Sequence, residues 1–247
     1  LSANRVTPEM KIQMSLSGRY SEEKYNYEDL GLSYENTYDS LYYNGLFVKS
    51  LSEHWSAGAF LNASSSTYEN IRYSISPAPA IEYNFFPYSQ STRRQLRCLY
   101  RLSYNSVRYR EETIYGKTYE NLWNESLSAT LTLKEKWGSI STTLGGSHYF
   151  HDTKKYRLTI YTALSLNLLK GLQFYAFGGG SRIHDQLSLP RGEMSWADVL
   201  SQRQQLETSY SYYLSVGLSF TFGSIFTNVV NPRFGTEGYG GMSVVIH

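Results

Sequence analysis

Apolar and polar residues alternate along this chain with a period of two. The clearest case is the stretch Ser209 to Gly223. Tyr212, Leu214, Val216, Leu218, Phe220 and Phe222 stand on one side of it; Tyr213, Ser215, Gly217, Ser219, Thr221 and Gly223 stand on the other. Successive side chains of a strand point to opposite faces, so this pattern suits a strand and no helix. Strands in soluble sandwiches are usually about 5–6 residues long, whereas a tilted strand crossing a bilayer needs ~9–11. The length of the alternation therefore predicts a transmembrane β-strand.

The same pattern predicts nine further strands. The first carries Met10, Ile12, Met14 and Leu16 against Lys11, Gln13, Ser15 and Ser17, after a polar lead-in from Arg5 to Pro8. A Tyr-, Glu-, Asp- and Asn-rich stretch from Ser21 to Ser40 reads as a long exposed loop with strand ends extending into it. The second strand covers Leu41 to Leu51, with either facing possible. The third sets Trp55, Ala57, Ala59 and Leu61 against Ser56, Gly58, Phe60 and Asn62. The fourth runs from Ile75 to Phe85 and includes Pro77 and Pro79. Two prolines at i and i+2 remove ladder donors on one edge, which predicts weak pairing or a bulge there. The fifth sets Leu96, Cys98, Tyr100, Leu102 and Tyr104 against Gln95, Arg97, Arg101, Ser103 and Asn105. Val107 and Tyr109 then suggest a change of parity and a bulge near Ser106.

Strands six to eight cover Ser126–Lys134, Ser139–Phe150 and Arg157–Leu168. The ninth runs from Leu172 to Asp185 and holds Gly178-Gly179-Gly180, where a sheet can bend or admit a neighbouring side chain. Between Leu189 and Leu206 the period changes. Ser195 begins a capping-box-like start, and Trp196, Val199, Leu200 and Arg203 fall at helical spacing, predicting a short helix in the last long loop. The tenth strand is the stretch described first.

The expected fold is all-β: a transmembrane antiparallel up-and-down β-barrel of about ten strands, with eight or twelve as alternatives. It carries a short helix in the last extracellular loop and a periplasmic C-terminal tail. The expected division is 1–223 for the barrel and 224–247 for the tail, with the final strand closing the barrel against the first. Short connections follow the even strands, and connections one, five and nine are longer. Outer-membrane barrels have short periplasmic turns and longer extracellular loops, so both termini are expected in the periplasm.

Composition changes this picture little. The mean hydropathy of −0.42 is low for a membrane protein, but a barrel turns half of each strand to a polar lumen. Aromatic residues make up 16% and Tyr alone numbers 24. A net charge of +2 without a basic run gives nucleic-acid binding no support. The single cysteine, Cys98, excludes an internal disulfide and reads as a structural residue, buried or facing lipid. Scattered histidines show no metal-ligand spacing, and no cofactor is expected.

With the apolar faces toward lipid, Lys11, Arg19, Arg72, Glu82, Arg97, Arg101, Lys134 and Arg157 form the expected inward charge network, with Glu82 as its hub. Two readings follow, an anion-selective path or a polar plug that fixes register. The narrow width favours the plug, since ~8 strands are just filled by side chains.

A ten-strand count is shared with omptin proteases, which implies a search for paired carboxylates and a His–Asp pair at the rim. His151-Asp152 and His184-Asp185 lie near outer strand ends, but adjacent strand residues face opposite sides, and no paired-carboxylate motif completes the set. The protein is therefore expected not to be an enzyme, with an omptin-like rim hydrolase as an alternative.

The segments SYYLSVGLSFTFGSIFTNVVNPRFG, DQLSLP and EYNFFPYSQSTRRQL resemble a family of small outer-membrane barrels of the Bacteroidota type, without an activity attached. The resemblance is best over the C-terminal third. Phe220 and Phe222 resemble the aromatic end of a barrel-assembly signal, although 24 residues follow Gly223. In the tail, Val229, Val230, Phe234, Tyr239, Val244 and Val245 are apolar side chains that need a partner. Together with Trp196, Val199 and Leu200 they are the candidate partner contacts. The leading expectation is an accessory subunit of a larger outer-membrane assembly, such as a translocon, a barrel-assembly machine or a nutrient importer. A small anion-biased pore is the alternative. Outer-membrane lipid, lipopolysaccharide included, is the other expected partner.

Overall fold

The computed structural model describes residues 1–27, 32–192 and 208–221, with only the backbone described for residues 23, 25–27 and 32–36. Eleven strands follow one another: β1 Ser2–Val6, β2 Met10–Tyr27, β3 Leu32–Ser50, β4 Trp55–Ser66, β5 Ile71–Asn84, β6 Arg94–Tyr109, β7 Tyr119–Glu135, β8 Gly138–Tyr149, β9 Tyr156–Leu169, β10 Leu172–Ile183 and β11 Tyr210–Phe220. They form a single sheet in chain order, each antiparallel to the next. The ten expected strands correspond to β2–β11. The additional one, β1, is a short polar edge strand paired with Lys11–Ser15 of β2, and its five residues carry no apolar alternation to mark them.

The expected loop from Ser21 to Ser40 is largely strand. The β2–β3 ladder runs without a break to the pair Tyr27 and Leu32, leaving residues 28–31 as the connection. Polar composition hid this hairpin. Where both faces of a ribbon meet water, no apolar face is needed, and the ladder alone holds it. The predicted loop helix at 193–207 and the tail from 222 onward lie outside the described residues, and so does every one of the candidate partner contacts in them.

The prolines of β5 act as expected. The β5–β6 ladder is paired at Ile75 with Ser106 and again at Ala80 with Arg101, with no pair between them, while Pro77 and Pro79 stay in register with Leu61 and Ala59 of β4. The missing donors therefore face β6. The bulge expected near Ser106 lies elsewhere. The register of β6 with β7 is unbroken, and the extra residue is Arg72, between Ile71 and Tyr73 of β5. Val107 and Tyr109 thus remain on the face of Arg97 and Arg101. At the glycine triplet, a Cβ on Gly179 would come within 2.5 Å of the Tyr161 ring, so this position admits a neighbouring side chain.

The two faces differ in kind. One face exposes Leu16, Phe47, Leu61, Ile81, Leu127, Leu144, Leu158, Ile160, Leu214 and Leu218 to the surroundings. At one end it carries a cluster of Trp55, Tyr83 and Phe85, with ring centroids 4.7 and 5.0 Å apart. At the other end it carries Tyr104 on Trp123, with Tyr156, Tyr210 and Tyr212 beyond. Polar side chains on this face find partners: Thr142 with Thr162 at 3.2 Å, and Glu125 with both Tyr100 and His148. The opposite face is concave, since residues from β2 through β7 line one cavity on it, and it mixes charged and polar side chains with Leu46, Val48, Phe60 and Leu99. Among the described residues no ladder joins β11 to β1 or β2, so the expected pairing of the last strand with the first is not made there. The outward side chains of β11 are correspondingly bare, with Tyr212 81% and Leu214 75% exposed.

Candidate functional site

Among the described residues, two cavities lie along the concave face. The larger, about 460 Å³, opens at the end of the short turns and is lined by Lys11, Leu46, Val48, Glu82, Arg97 and Thr130, with His54 and Tyr88 at its mouth. Register places these side chains. Lys11 of β2, Leu46 of β3, Gly58 of β4, Ala80 of β5 and Arg97 of β6 share one parity through four ladders, so each strand contributes alternate residues to one surface. Glu82 approaches one cation here, Arg97, at 3.9 Å, beyond hydrogen-bond distance. Farther up the face, Arg101 lies over the Phe60 ring at 5.1 Å and donates to the Ser126 hydroxyl at 3.2 Å.

The smaller cavity, about 230 Å³, lies toward the end with the long connections, beneath a segment that folds inward after β10. Asp185 begins that segment. Arg157 of β9 grips it in a fork, with Nε donating to both carboxylate oxygens at 3.0 Å and a terminal nitrogen donating at 2.8 Å. Leu187 and Leu189 are buried. The Ile114 amide donates to the Leu189 carbonyl at 2.8 Å, and the Arg191 amide to the Glu112 carbonyl at 2.8 Å. Asn70, in the turn after β4, ties the segment to the loop after β6. Its amide nitrogen donates to the Ser188 and Glu111 carbonyls at 2.9 and 3.1 Å, and its oxygen accepts from the Glu111 amide at 2.8 Å. Asn70 sits at a φ of 58°, a region that asparagine tolerates better than most residues. Below, Tyr109 donates to Glu120 at 2.7 Å, and Ser76, Asn105 and Asn124 form a chain of 2.7 Å bonds. The segment is thus pinned from three directions across the inner face.

The sequence-derived inward set meets this geometry in parts. Lys11, Glu82 and Arg97 share the larger cavity, and Arg157 lines the smaller one and holds Asp185. Arg101 lies between them. Arg19 faces the same way, 5.9 Å from the Tyr38 ring. Lys134 shares the inner parity of Thr130 but lies outside both cavities. Arg72 does not belong to the set: as the bulge residue it is skipped by both ladders, and Ile71 takes the inward position. The acidic partner that sequence reading missed is Asp185. His184 and Asp185 do face opposite sides, and each is engaged separately. Sequence reading also missed the outward trio Tyr100, Glu125 and His148. Tyr100 donates to Glu125 at 2.5 Å and His148 Nε2 lies 2.8 Å from it. Parity held the signal, because Glu125 falls on the face of Leu127 and Ala129.

No family model and no curated protein matches the chain. Among solved structures, a NanC porin structure is similar over 90% of this chain and 97% of its own, at 10% identity and a TM-score of 0.44. At that identity and score the likeness bears on no residue and on no activity of this chain.

Proposed function

We propose that the chain is an integral outer-membrane β-barrel protein that provides a narrow, anion-biased passage, constricted at its long-loop mouth by Asp185–Pro190. Closure of the sheet into a barrel is part of this proposal. The observation that carries it is the cation-bearing concave face, which runs from Lys11 and Arg97 in the larger cavity through Arg101 to Arg157 at the constriction. A water-excluding apolar exterior supports the membrane placement. The outward band of β9, from Leu158 to Leu168, is flanked by Tyr156 at one end, as in barrels with aromatic girdles. The short turns then face the periplasm, where β11 ends and the β1–β2 turn lies. The activity is one of permeation, with no covalent chemistry. In planar bilayers the purified protein is expected to give discrete currents with anions preferred over cations, and Arg97→Gln combined with Lys11→Gln to reduce that preference. Silence under every condition that inserts the protein would end the pore reading.

A second reading is favoured by the edge of β11, which no ladder covers among the described residues. A strand edge without a ladder is a template for pairing with another chain. On this reading the protein is a non-enzymatic accessory subunit of a larger outer-membrane assembly, and mild detergent extraction brings down its partners. Deletion of residues 231–247 should weaken that recovery, and a strictly monomeric extract would remove the reading.

A further inference from the structure

The outward face near the long-loop end of β9–β11 carries a cationic patch that the passage does not use. Arg182 of β10 stands opposite Leu158 of β9 and Tyr210 of β11, both outward and half or more exposed. It therefore projects from the apolar face. Its Nε donates to His184 Nε2 at 3.3 Å, and its guanidinium lies 5.9 Å from the Tyr156 ring. Tyr156 in turn packs on His184 with centroids 4.9 Å apart. These contacts orient the guanidinium, and its two terminal nitrogens have no hydrogen-bond partner among the described residues. Lys154 and Lys155 precede Tyr156 in the turn after β8, with Lys155 engaged by the Tyr115 hydroxyl, and the Tyr210 and Tyr212 rings lie parallel along β11 with centroids 6.4 Å apart.

Among the described residues, the nearby acids are engaged elsewhere. Asp185 faces inward on Arg157, Asp152 accepts the Lys154 amide at 2.9 Å, and Glu125 is held by Tyr100 and His148. Among the described residues, the result is a fork of donors without a carboxylate partner, on a surface that also carries Leu158, Ile160, Tyr210 and Tyr212. A bare guanidinium at an apolar–polar boundary suits a ligand that is charged at one end and apolar at the other. Arg offers a planar fork to phosphate oxygens, and aromatic rings beside it suit the headgroup level of a membrane.

We infer that Arg182, with His184 and Tyr156, binds the phosphate of a phosphorylated lipid headgroup at the long-loop rim, with its acyl chains against Leu158, Ile160 and Tyr212. This inference rests on the membrane reading and names the lipid partner of that face.

The test uses the full chain in neutral detergent micelles, titrated with a phosphorylated glycolipid, its dephosphorylated form, or inorganic phosphate, with bound lipid counted by native mass spectrometry. The phosphorylated glycolipid is expected to remain bound at one site, and Arg182→Gln to weaken its retention about tenfold. Lys136→Gln, at the opposite end, should leave retention unchanged, and Arg182→Lys should restore only part of it. Equal retention by wild type and Arg182→Gln overturns the site, as does equal retention of the dephosphorylated lipid. Competition by millimolar inorganic phosphate as effective as the lipid itself would reduce it to a free-anion site and overturn the lipid assignment. A chain that stays soluble and monodisperse without detergent would instead overturn the membrane reading beneath it.

Discussion

Replacing Asp185 by Asn keeps the shape of the side chain and removes its charge. In the native protein three donor contacts of 2.8–3.0 Å join it to Arg157. The Asp185 side chain is 15% exposed and that of Arg157 40% exposed, so the pair is neither a solvent-screened surface contact nor a fully buried one. Exposed pairs contribute ~0–1 kcal/mol and breaking a buried pair costs ~3–5. An intermediate cost of about 2 kcal/mol is expected, because the variant leaves the guanidinium half-buried beside a neutral amide. The remaining contacts of Leu187, Ser188, Leu189 and Arg191 still hold the segment, so the variant folds while the released form of Asp185–Pro190 rises about thirtyfold. Single-channel recording reads that change directly, as longer or more frequent open intervals with unchanged ion preference. A double-mutant cycle with Arg157→Gln isolates the pair, since each change alone also alters the surrounding cavity. If Asp185→Asn matches the wild type both in open probability and in urea resistance, the segment is not a constriction held by this pair.

A nitroxide attached to Cys98 tests the outward facing of the β6 residues opposite to Arg97. It should be relaxed by oxygen in liposomes and shielded from a water-soluble nickel chelate, and the reverse ranking would place Cys98 in an aqueous environment. Asn70→Ala removes three hydrogen bonds and a residue suited to φ 58°, and should cost about 2–3 kcal/mol while opening residues 110–118 to protease. Asn70→Gly loses the same bonds but keeps the conformation and should cost less, and equal costs would show that the φ of 58° carries no strain for alanine. Gly138→Ala meets two obstacles, a φ of +142° and the Ser165 carbonyl in the place of its Cβ. It should loosen the β7–β8 turn, read as a lower melting temperature on heat-modifiability gels, and an unchanged value would contradict the close approach of β9.

Much of the architecture was legible in the chain because a β-strand has a period of two and a sheet exposed to different media on its two faces must show it. Leu158, Ile160 and Leu164 against Arg157, Thr159 and Tyr161 is enough to place β9, its length and its facing. The donors lost at Pro77 and Pro79 likewise told where β5 would lose its neighbour. The same logic fails where both faces meet water. The upper β2–β3 hairpin and the polar edge strand β1 carry no apolar face, and backbone pairing, which no side chain announces, forms them.

What the sequence determined by itself is therefore the alternation: which residues can share a face, and which of those faces tolerates an apolar solvent. Which inward charges meet was a tertiary decision. Arg157 and Asp185 are 28 residues apart, and Asn70 and Ser188 are 118 apart. The first pair follows from the β9–β10 register, which sets Ile183 opposite Arg157, whereas the second exists because the sheet curls and the chain after β10 turns back across its inner face. Periodicity is local and acts between neighbours on one strand, whereas curvature sums small twists over many strands. No single stretch of sequence encodes the distance between two residues that the curl brings together.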